Sequence, residues 1–435
     1  MIGFKVDTAH IVPGEIDLDQ FNDALARTLQ AYPVHAGRIV RPRDPKDPWT
    51  VSLINQGVPV TVMESDADTE VPANAVIQSP KFPYTKPISV VKYLDFDNDE
   101  PLLRATIVRF TKTGSTSIGL CSAHIIGDGF VVLSFLRLLS QNYQGLEPLD
   151  PPPSYAAPPR LPFNAADYGE IPYPDYQHLY PLRGVAPHVE PGRKKPLRLD
   201  LRLTAAQIAA IHKGVLAQCP ESSPPILSRQ DVLVALVAYC LSKADPQAPP
   251  IQHISTILMS RGIPPRPKNS VGNALMWAMT EAAEDFEKET VFSIALRIRK
   301  ALVQCRDPAY AAAYDAAHEP LAIDAINSEM AQDFIQRPGY MVVNSTWRFD
   351  WTSAHFGFPD QTRFCHTVLN EPRFLKMFRP NPTRRPDGTW DVRPKDDVEM
   401  IFYVHKEIRS AVMDLFASEA NKLGMTGDVE WVVVQ

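Results

Sequence analysis

The stretch SAHIIGDGF, Ser122 to Phe130, puts a histidine, an aspartate four residues on and two glycines into nine positions of an apolar region. An imidazole with a reference pKa of about 6.5 is mostly neutral near pH 7 and can take a proton from a hydroxyl or an amine. His124 is therefore the first candidate for a general base. If TSIGLCSAH is a strand, Cys121 and Ala123 share one face while His124 lies on the other with Ser122 and Leu120, so a Cys121–His124 nucleophile pair is not expected. Beyond His124 the chain turns through IIGDG, where Asp128 is placed to cap a helix and Gly127 and Gly129 allow a tight bend with room beside the ring. A histidine next to an apolar helix is also commonly a core or loop residue, and Asp128 reads equally as a simple N-cap. These nine residues leave both readings open.

The elements that must position this turn are legible from periodicity. Before it, DQFNDALARTLQAYP spaces Phe21, Leu25, Thr28 and Leu29 as a helix ended by Pro33, and IGFKVDTAHIV, PLLRATIVRF and STSIGLCSAH read as strands. After it, GFVVLSFLRLLSQNYQ is a helix apolar on nearly every side, hence buried. Thirteen prolines then lie between Pro148 and Pro196, which excludes regular helix and central strand, because each removes an amide donor and restricts its predecessor. We read this run as an extended crossover whose tyrosines, Phe163 and Leu179 lie against a surface. Past it, LRLDLRL, HISTILMS, YMVVNSTWRF, EMIFYVH and VEWVVV read as strands, and AAQIAAIHKGVLAQ, SRQDVLVALVAYCLSKA and FSIALRIRKALVQC as helices. The class is α/β with mixed sheets, in a domain of residues 1–150, a crossover of 151–196 and a domain of 197–435.

Bulk properties narrow the function. A chain of 435 residues, 45% apolar, exceeds the roughly 250 to 300 residues at which one core stops growing, which implies two domains. The formal charge of −6 favours neither nucleic acid nor an anionic membrane, so an anionic ligand must meet a local basic patch. Cys121, Cys219, Cys240, Cys305 and Cys365 have no CxxC spacing and fit reduced thiols. With no apolar signal core at MIGFKVDTAHIV and no run of about 18 apolar residues, the expected setting is cytoplasmic and soluble. Nothing demands more than a monomer.

Six segments, in order, resemble the BAHD acyltransferases, including their fungal relatives that acylate natural products. SAHIIGDGF resembles their HxxxDG signature. LARTLQAYPVHAGRI is similar to the early helix, proline and AGR turn; SRQDVLVALVAYCLSKA to the helix after the crossover; SRGIPPRPKNSVGNAL to the arginine, double-proline and Gly-Asn segment. NSTWRFDWTSAHFGFPD sits where the family has a Ser-Trp strand and then DFGWG, and DVEMIFYVHKEIRSAVMDLF resembles the closing strand and helix. The resemblance implies two chloramphenicol-acetyltransferase-like domains with an active-site channel between them. Acyl-CoA would be the co-substrate, with no tightly bound cofactor, and a small-molecule alcohol or amine the acceptor.

On that resemblance His124 is the general base, and direct attack needs no acyl-enzyme; no GxSxG elbow suggests one. The Trp347 indole and the Ser345 hydroxyl are the implied oxyanion donors. Asp128 would pair with Arg261 and hold the turn. Phosphates of coenzyme A could be met by Arg379, Arg384, Arg385, Arg393 and Lys395, or by Arg193, Lys194 and Lys195; such clusters are also ordinary solvated loops, and Pro386-Asp387-Gly388 marks a turn. HFGFP replaces DFGWG, with His355 for the aspartate and Pro359 for the last glycine, for which altered packing is expected. No ligand spacing supports a metal cluster of His355, Cys365 and His366. The start is short for the family, implying truncation or a more open acceptor pocket, and His35 in the AGR turn is read as a loop residue, with reaching that pocket the lesser alternative. Two rivals stand: a condensation-type enzyme using carrier-protein thioesters, whose motif has HH where this chain has Ala123-His124, and a catalytically silent binding relative.

Overall fold

The computed structural model describes residues 3–54, 56–66, 76, 83–156, 171, 179–184, 196–219, 226–332, 337–367 and 371–432. In chain order the main elements are β1 (Lys5–Val12), α1 (Leu18–Ala31), β2 (Val60–Ser65), β3 (Leu103–Phe110), β4 (Thr116–Ala123) and α2 (Gly129–Tyr143). They are followed by β5 (Leu197–Leu203), α3 (Ala205–Leu216), α4 (Arg229–Ala244), β6 (His253–Met259), β7 (Leu275–Met279), α5 (Val291–Gln304) and α6 (Pro308–Asn327). The chain closes with β8 (Tyr340–Ser345), β9 (Arg363–His366), β10 (Phe374–Phe378), β11 (Val398–Val404), α7 (Arg409–Lys422) and β12 (Glu430–Val432).

Two mixed sheets organise these elements. The first has five strands in the order β9-β1-β4-β3-β2, with β2 and β3 parallel and the other neighbours antiparallel. The second has seven in the order β7-β6-β8-β10-β11-β5-β12, with β8 parallel to both β6 and β10. All eight residues of β4 are buried, because the strand is central and covered on both faces. One cover is a loop so close that a Cβ at Gly119 would fall 1.8 Å from the Tyr84 carbonyl oxygen, so only glycine fits.

The helices start where their caps dictate. Asp17 caps α1 through the Gln20 amide, and Thr204, Ser228 and Thr290 each form a reciprocal capping box before α3, α4 and α5. Phe21, Ala24 and Leu25 of α1 and Val131, Val132, Leu133, Phe135, Leu136 and Leu139 of α2 share one core with Leu103, Ala105, Ile107, Ile118 and Leu120 of the first sheet.

Six elements go beyond the periodicity reading: β2, β7, β9, β10, α6 and α7, the last expected only from the family resemblance. Of these β9 matters most to the architecture. It comes from the span expected to form the second domain, yet it pairs with β1 of the first sheet, Thr8 opposite His366 through Ile11 opposite Arg363. The sheets therefore do not part cleanly at residues 196/197. The physical reason is the otherwise open edge of β1, whose backbone groups β9 satisfies.

Most of the proline-rich crossover lies outside the described residues. Where it is described, Ser154 bridges Ser270, and Leu179–Pro181 pairs with Met330–Gln332 as a short two-stranded ladder. Among the described residues, no helix is long and apolar enough to cross a membrane.

Candidate active site

β4 delivers His124 to the junction of the two sheets. The strand stops at Ala123, and His124–Ile126 make a single tight turn whose first amide donates to the Phe4 carbonyl at 2.9 Å. Asp128 then caps α2, its Oδ1 accepting from the amides of Phe130 at 3.1 Å and Val131 at 3.3 Å. Its Oδ2 accepts from Arg261 Nη1 at 2.5 Å and from the Ala274 amide at 3.0 Å. Arg261 also donates to the carbonyls of Ser270 at 2.8 Å and Gly272 at 2.5 Å, and its guanidinium lies 5.0 Å from the Phe130 ring centroid. The carboxylate is thus both a helix cap and a clamp on the 261–274 segment.

The two glycines of the turn differ in what they require. Gly127 is extended, with φ of 176°, so it needs no left-handed conformation; a Cβ there would meet the Val131 side chain at 2.7 Å. Gly129 is the first residue of α2, and a Cβ there would meet nothing nearer than 3.9 Å.

Asn273 fixes the histidine tautomer. Its Nδ2 donates to the carbonyls of His124 at 2.7 Å and Ile125 at 3.3 Å, which leaves its Oδ1 as the acceptor facing His124 Nδ1 at 2.9 Å. An acceptor there requires the proton on Nδ1, so Nε2 carries the lone pair. Burial lowers the His124 pKa below its ordinary value, opposed by its own backbone, the Asp128 charge and the Asn273 hydrogen bond. A neutral imidazole with one basic nitrogen is the form a general base needs.

His124 lines a cavity of about 420 Å³ between the sheets. One wall comes from Phe4 to Asp7 and from His366 at the end of β9; the other comes from β6, β7, β8 and β10. Phe130, Phe349, Trp351 and Phe374 give it an aromatic lining. The next residue, Ile125, lines a second cavity of about 460 Å³, walled by Trp49, α6 and Met330 to Gln332. The turn after β4 therefore touches both hollows.

Ser345, at the end of β8, lines the first cavity and donates to Gln230 Oε1 at 2.8 Å. Trp347 does not join it. Its indole N–H is buried and donates to the Asp397 carbonyl at 2.7 Å, so the expected oxyanion donor at Trp347 is already engaged in holding β8 against the loop before β11. Arg384 and Arg385 are exposed on a small hairpin around Pro386-Asp387-Gly388, where Arg385 pairs with Asp391 at 3.3 Å, and neither lines the cavity. Lys194 and Lys195 lie outside the described residues.

Other histidines sort by surroundings. His35 is buried, stacked on Phe135 with centroids 4.8 Å apart, and pushed down to about 3 by burial, so it is a core residue rather than a pocket one. His355 accepts from the Gly357 amide at 3.2 Å, and none of HFGFP lines the cavity; Phe356 is buried against α2, its amide donating to Ser140 Oγ at 2.8 Å. His366 does line the cavity, with its Nδ1 donating to the Thr367 carbonyl.

Sequence reasoning did not single out Asn273, Asn344 or Lys376. Asn273 follows Gly272, whose φ of 100° turns the chain toward the histidine, so the Gly-Asn pair was the available signal. A lysine inside the apolar run FLKMF was the signal for Lys376, which is 6% exposed.

Known proteins resemble the chain over most of its length. A family model described as Transferase family matches residues 8–393. A hydroxycinnamoyltransferase of Narcissus pseudonarcissus is 25% identical over 308 residues, 69% of this chain and 67% of its own. TRI101 of F. graminearum, solved with coenzyme A and T-2 mycotoxin, superposes with a TM-score of 0.66 at 13% identity, covering 99% of this chain and 96% of its own. Vinorine synthase superposes with a TM-score of 0.58 at 14% identity, covering 97% and 90%. The two structural likenesses establish a shared fold.

Proposed function

The chain belongs to the Transferase family, the BAHD-type acyl-CoA-dependent acyltransferases acting on small molecules, and we propose that it moves an acyl group from acyl-CoA to a hydroxyl, or an amine, of a natural product by direct attack with His124 as base. The observation that carries this reading is a ring whose Nδ1 proton is committed to Asn273 and which lines the cavity between the sheets. Nε2 takes the acceptor proton as the acceptor oxygen bonds to the thioester carbonyl. The tetrahedral oxyanion then collapses, the carbon–sulfur bond breaks, and the proton on Nε2 passes to the departing thiolate.

Ser345 is the candidate donor to the oxyanion, by turning its hydroxyl from Gln230 into the cavity. Asp128 and Arg261 are positioning residues: they hold the turn and touch no reacting atom. The nucleotide end of coenzyme A is left to exposed basic groups, for which Arg384 and Arg385 are the candidates. The second cavity at Ile125 supplies the other approach to the same turn. Free thiols at all five cysteines favour a reducing compartment, and we place the activity in the cytoplasm.

The test is free-thiol release from a panel of acyl-CoAs with candidate alcohols and amines. His124→Ala is expected to lower kcat by about 10² to 10⁴. No turnover with any pair, and His124→Ala indistinguishable from the unaltered protein, would support a silent relative; turnover only with carrier-bound thioesters would support the condensation-type alternative.

A further inference from the structure

Lys376 occupies the middle of β10, buried, with its side chain in the cavity wall. Pleat and register put it on the same face as its parallel-strand partner Asn344 and as Phe374 two residues earlier, and both also line the cavity. Among the described residues no carboxylate pairs with its ammonium, which leans on the Phe378 ring at 5.5 Å. Two carboxylates line this cavity, and both are taken: Asp7 by Lys5 at 3.1 Å and by the Thr85 hydroxyl at 3.0 Å, and Asp128 by Arg261 at 2.5 Å. The Asn344 amide likewise makes no hydrogen bond among the described residues.

A buried ammonium is costly unless an anion meets it. Among the described residues the other buried cations keep the rule: Arg38 meets Asp99 at 3.0 Å, Arg198 meets Asp200 at 2.5 Å, Arg202 meets Glu399 at 2.9 Å and Arg261 meets Asp128 at 2.5 Å. The exception stands at the wall of the cavity that holds the candidate base. Burial lowers Lys376 only to about 8, so it stays cationic at neutral pH, while its neighbour His366 is held neutral by burial and by the lysine charge. The pantetheine arm of coenzyme A is uncharged at its reacting end and offers this lysine no partner.

We propose that Lys376, with the Asn344 amide beside it, receives a carboxylate carried by one of the two substrates, the acceptor or the acyl group. The aromatic side chains around it suit an apolar, ring-bearing body for that substrate. This inference rests on the acyl-transfer reading only for the identity of the cavity as the substrate site.

Matched pairs test it by calorimetric binding. The acceptor arm compares 4-hydroxybenzoate and 4-hydroxycinnamate with their methyl esters; the acyl arm compares malonyl-CoA and succinyl-CoA with acetyl-CoA. In the unaltered protein one arm is expected to favour its charged member at least about tenfold, and that arm names the source. Lys376→Met should erase the preference, Lys376→Arg should keep part of it, and Asn344→Asp should erase it from the other side by pairing the ammonium internally. His124→Ala should bind with the preference intact. No charged-member preference in either arm, or its survival in both Lys376→Met and Asn344→Asp, overturns the proposal. Thiol release is read in parallel: its absence with the preference intact overturns acyl transfer and leaves the carboxylate site, and the reverse pattern does the opposite.

Discussion

Arg261 and Lys376 are equally buried, each 6% exposed, and they stand on opposite terms with their surroundings. The arginine has a carboxylate and two carbonyls converging on its guanidinium. The lysine has an aromatic face and an open cavity. Satisfied charge of the first kind fixes architecture: it joins the turn after β4 to the 261–274 segment and so aims the imidazole. Unsatisfied charge of the second kind costs stability in the free protein and is reconciled only by something that arrives from outside.

Substituting the paired cation gives the largest expected effect. Arg261→Met strands Asp128 as a buried, half-met carboxylate, which should cost about 3–5 kcal/mol in denaturant unfolding and misplace His124. Adding Asp128→Asn to Arg261→Met should recover part of the loss; an equal or greater loss in the double variant would break the assignment of Asp128 as the group left unpaired.

The unpaired cation should respond with the opposite sign. An unfolded lysine holds its proton up to about 10.5, the folded Lys376 only to about 8, so between those values the unfolded chain binds more protons and stability rises with pH. Below about 8 the full penalty is present, on the order of 3 kcal/mol. Lys376→Met is therefore expected to stabilise the protein at pH 7, with the gain shrinking toward pH 10.5. A destabilised Met variant would erase the contrast with Arg261.

Two smaller tests sharpen it at the site. Asn273→Ala removes the acceptor on Nδ1 and should lower kcat roughly tenfold, a loss of about 1–1.5 kcal/mol. That acceptor also raises the histidine pKa, so the acid limb of the kcat/KM profile, already below the ordinary imidazole range, should move lower still. An unmoved limb would mean that Asn273 does not hold the ring. Trp347→Phe loses only the bond to Asp397, so thermal melts should fall by about 1 kcal/mol while kcat changes less than twofold; a collapse in kcat would return the indole to the oxyanion.

The legible parts of this chain were those governed by local rules. Alternation gave β5, an apolar β-rich run gave β11, helical spacing gave α1 and α5, and Asp128 followed by an apolar run gave α2 with its cap. Helix α6 escaped because PAYAAAYDAAHEPLAIDAIN has no apolar stripe and carries Pro320 within it, although Asp307-Pro308 marks its start. β9, four residues long, takes its meaning from a partner more than 350 positions away, which no window can see. The same limit applies at the site: His124 was visible through its glycines, whereas Asn273 and Lys376 acquire roles only when the two sheets bring them beside it.

β9 finally bears on how molecules reach the base. It acts as a suture between the lobes: gaping like a clamshell would tear the four residue pairs from Thr8 to Ile11 against Arg363 to His366. Such a seam disfavours entry by a closing jaw and favours passage between lobes that stay joined. Because the seam ends at His366, beside Lys376, any stitch that slips is felt first where the substrate would rest.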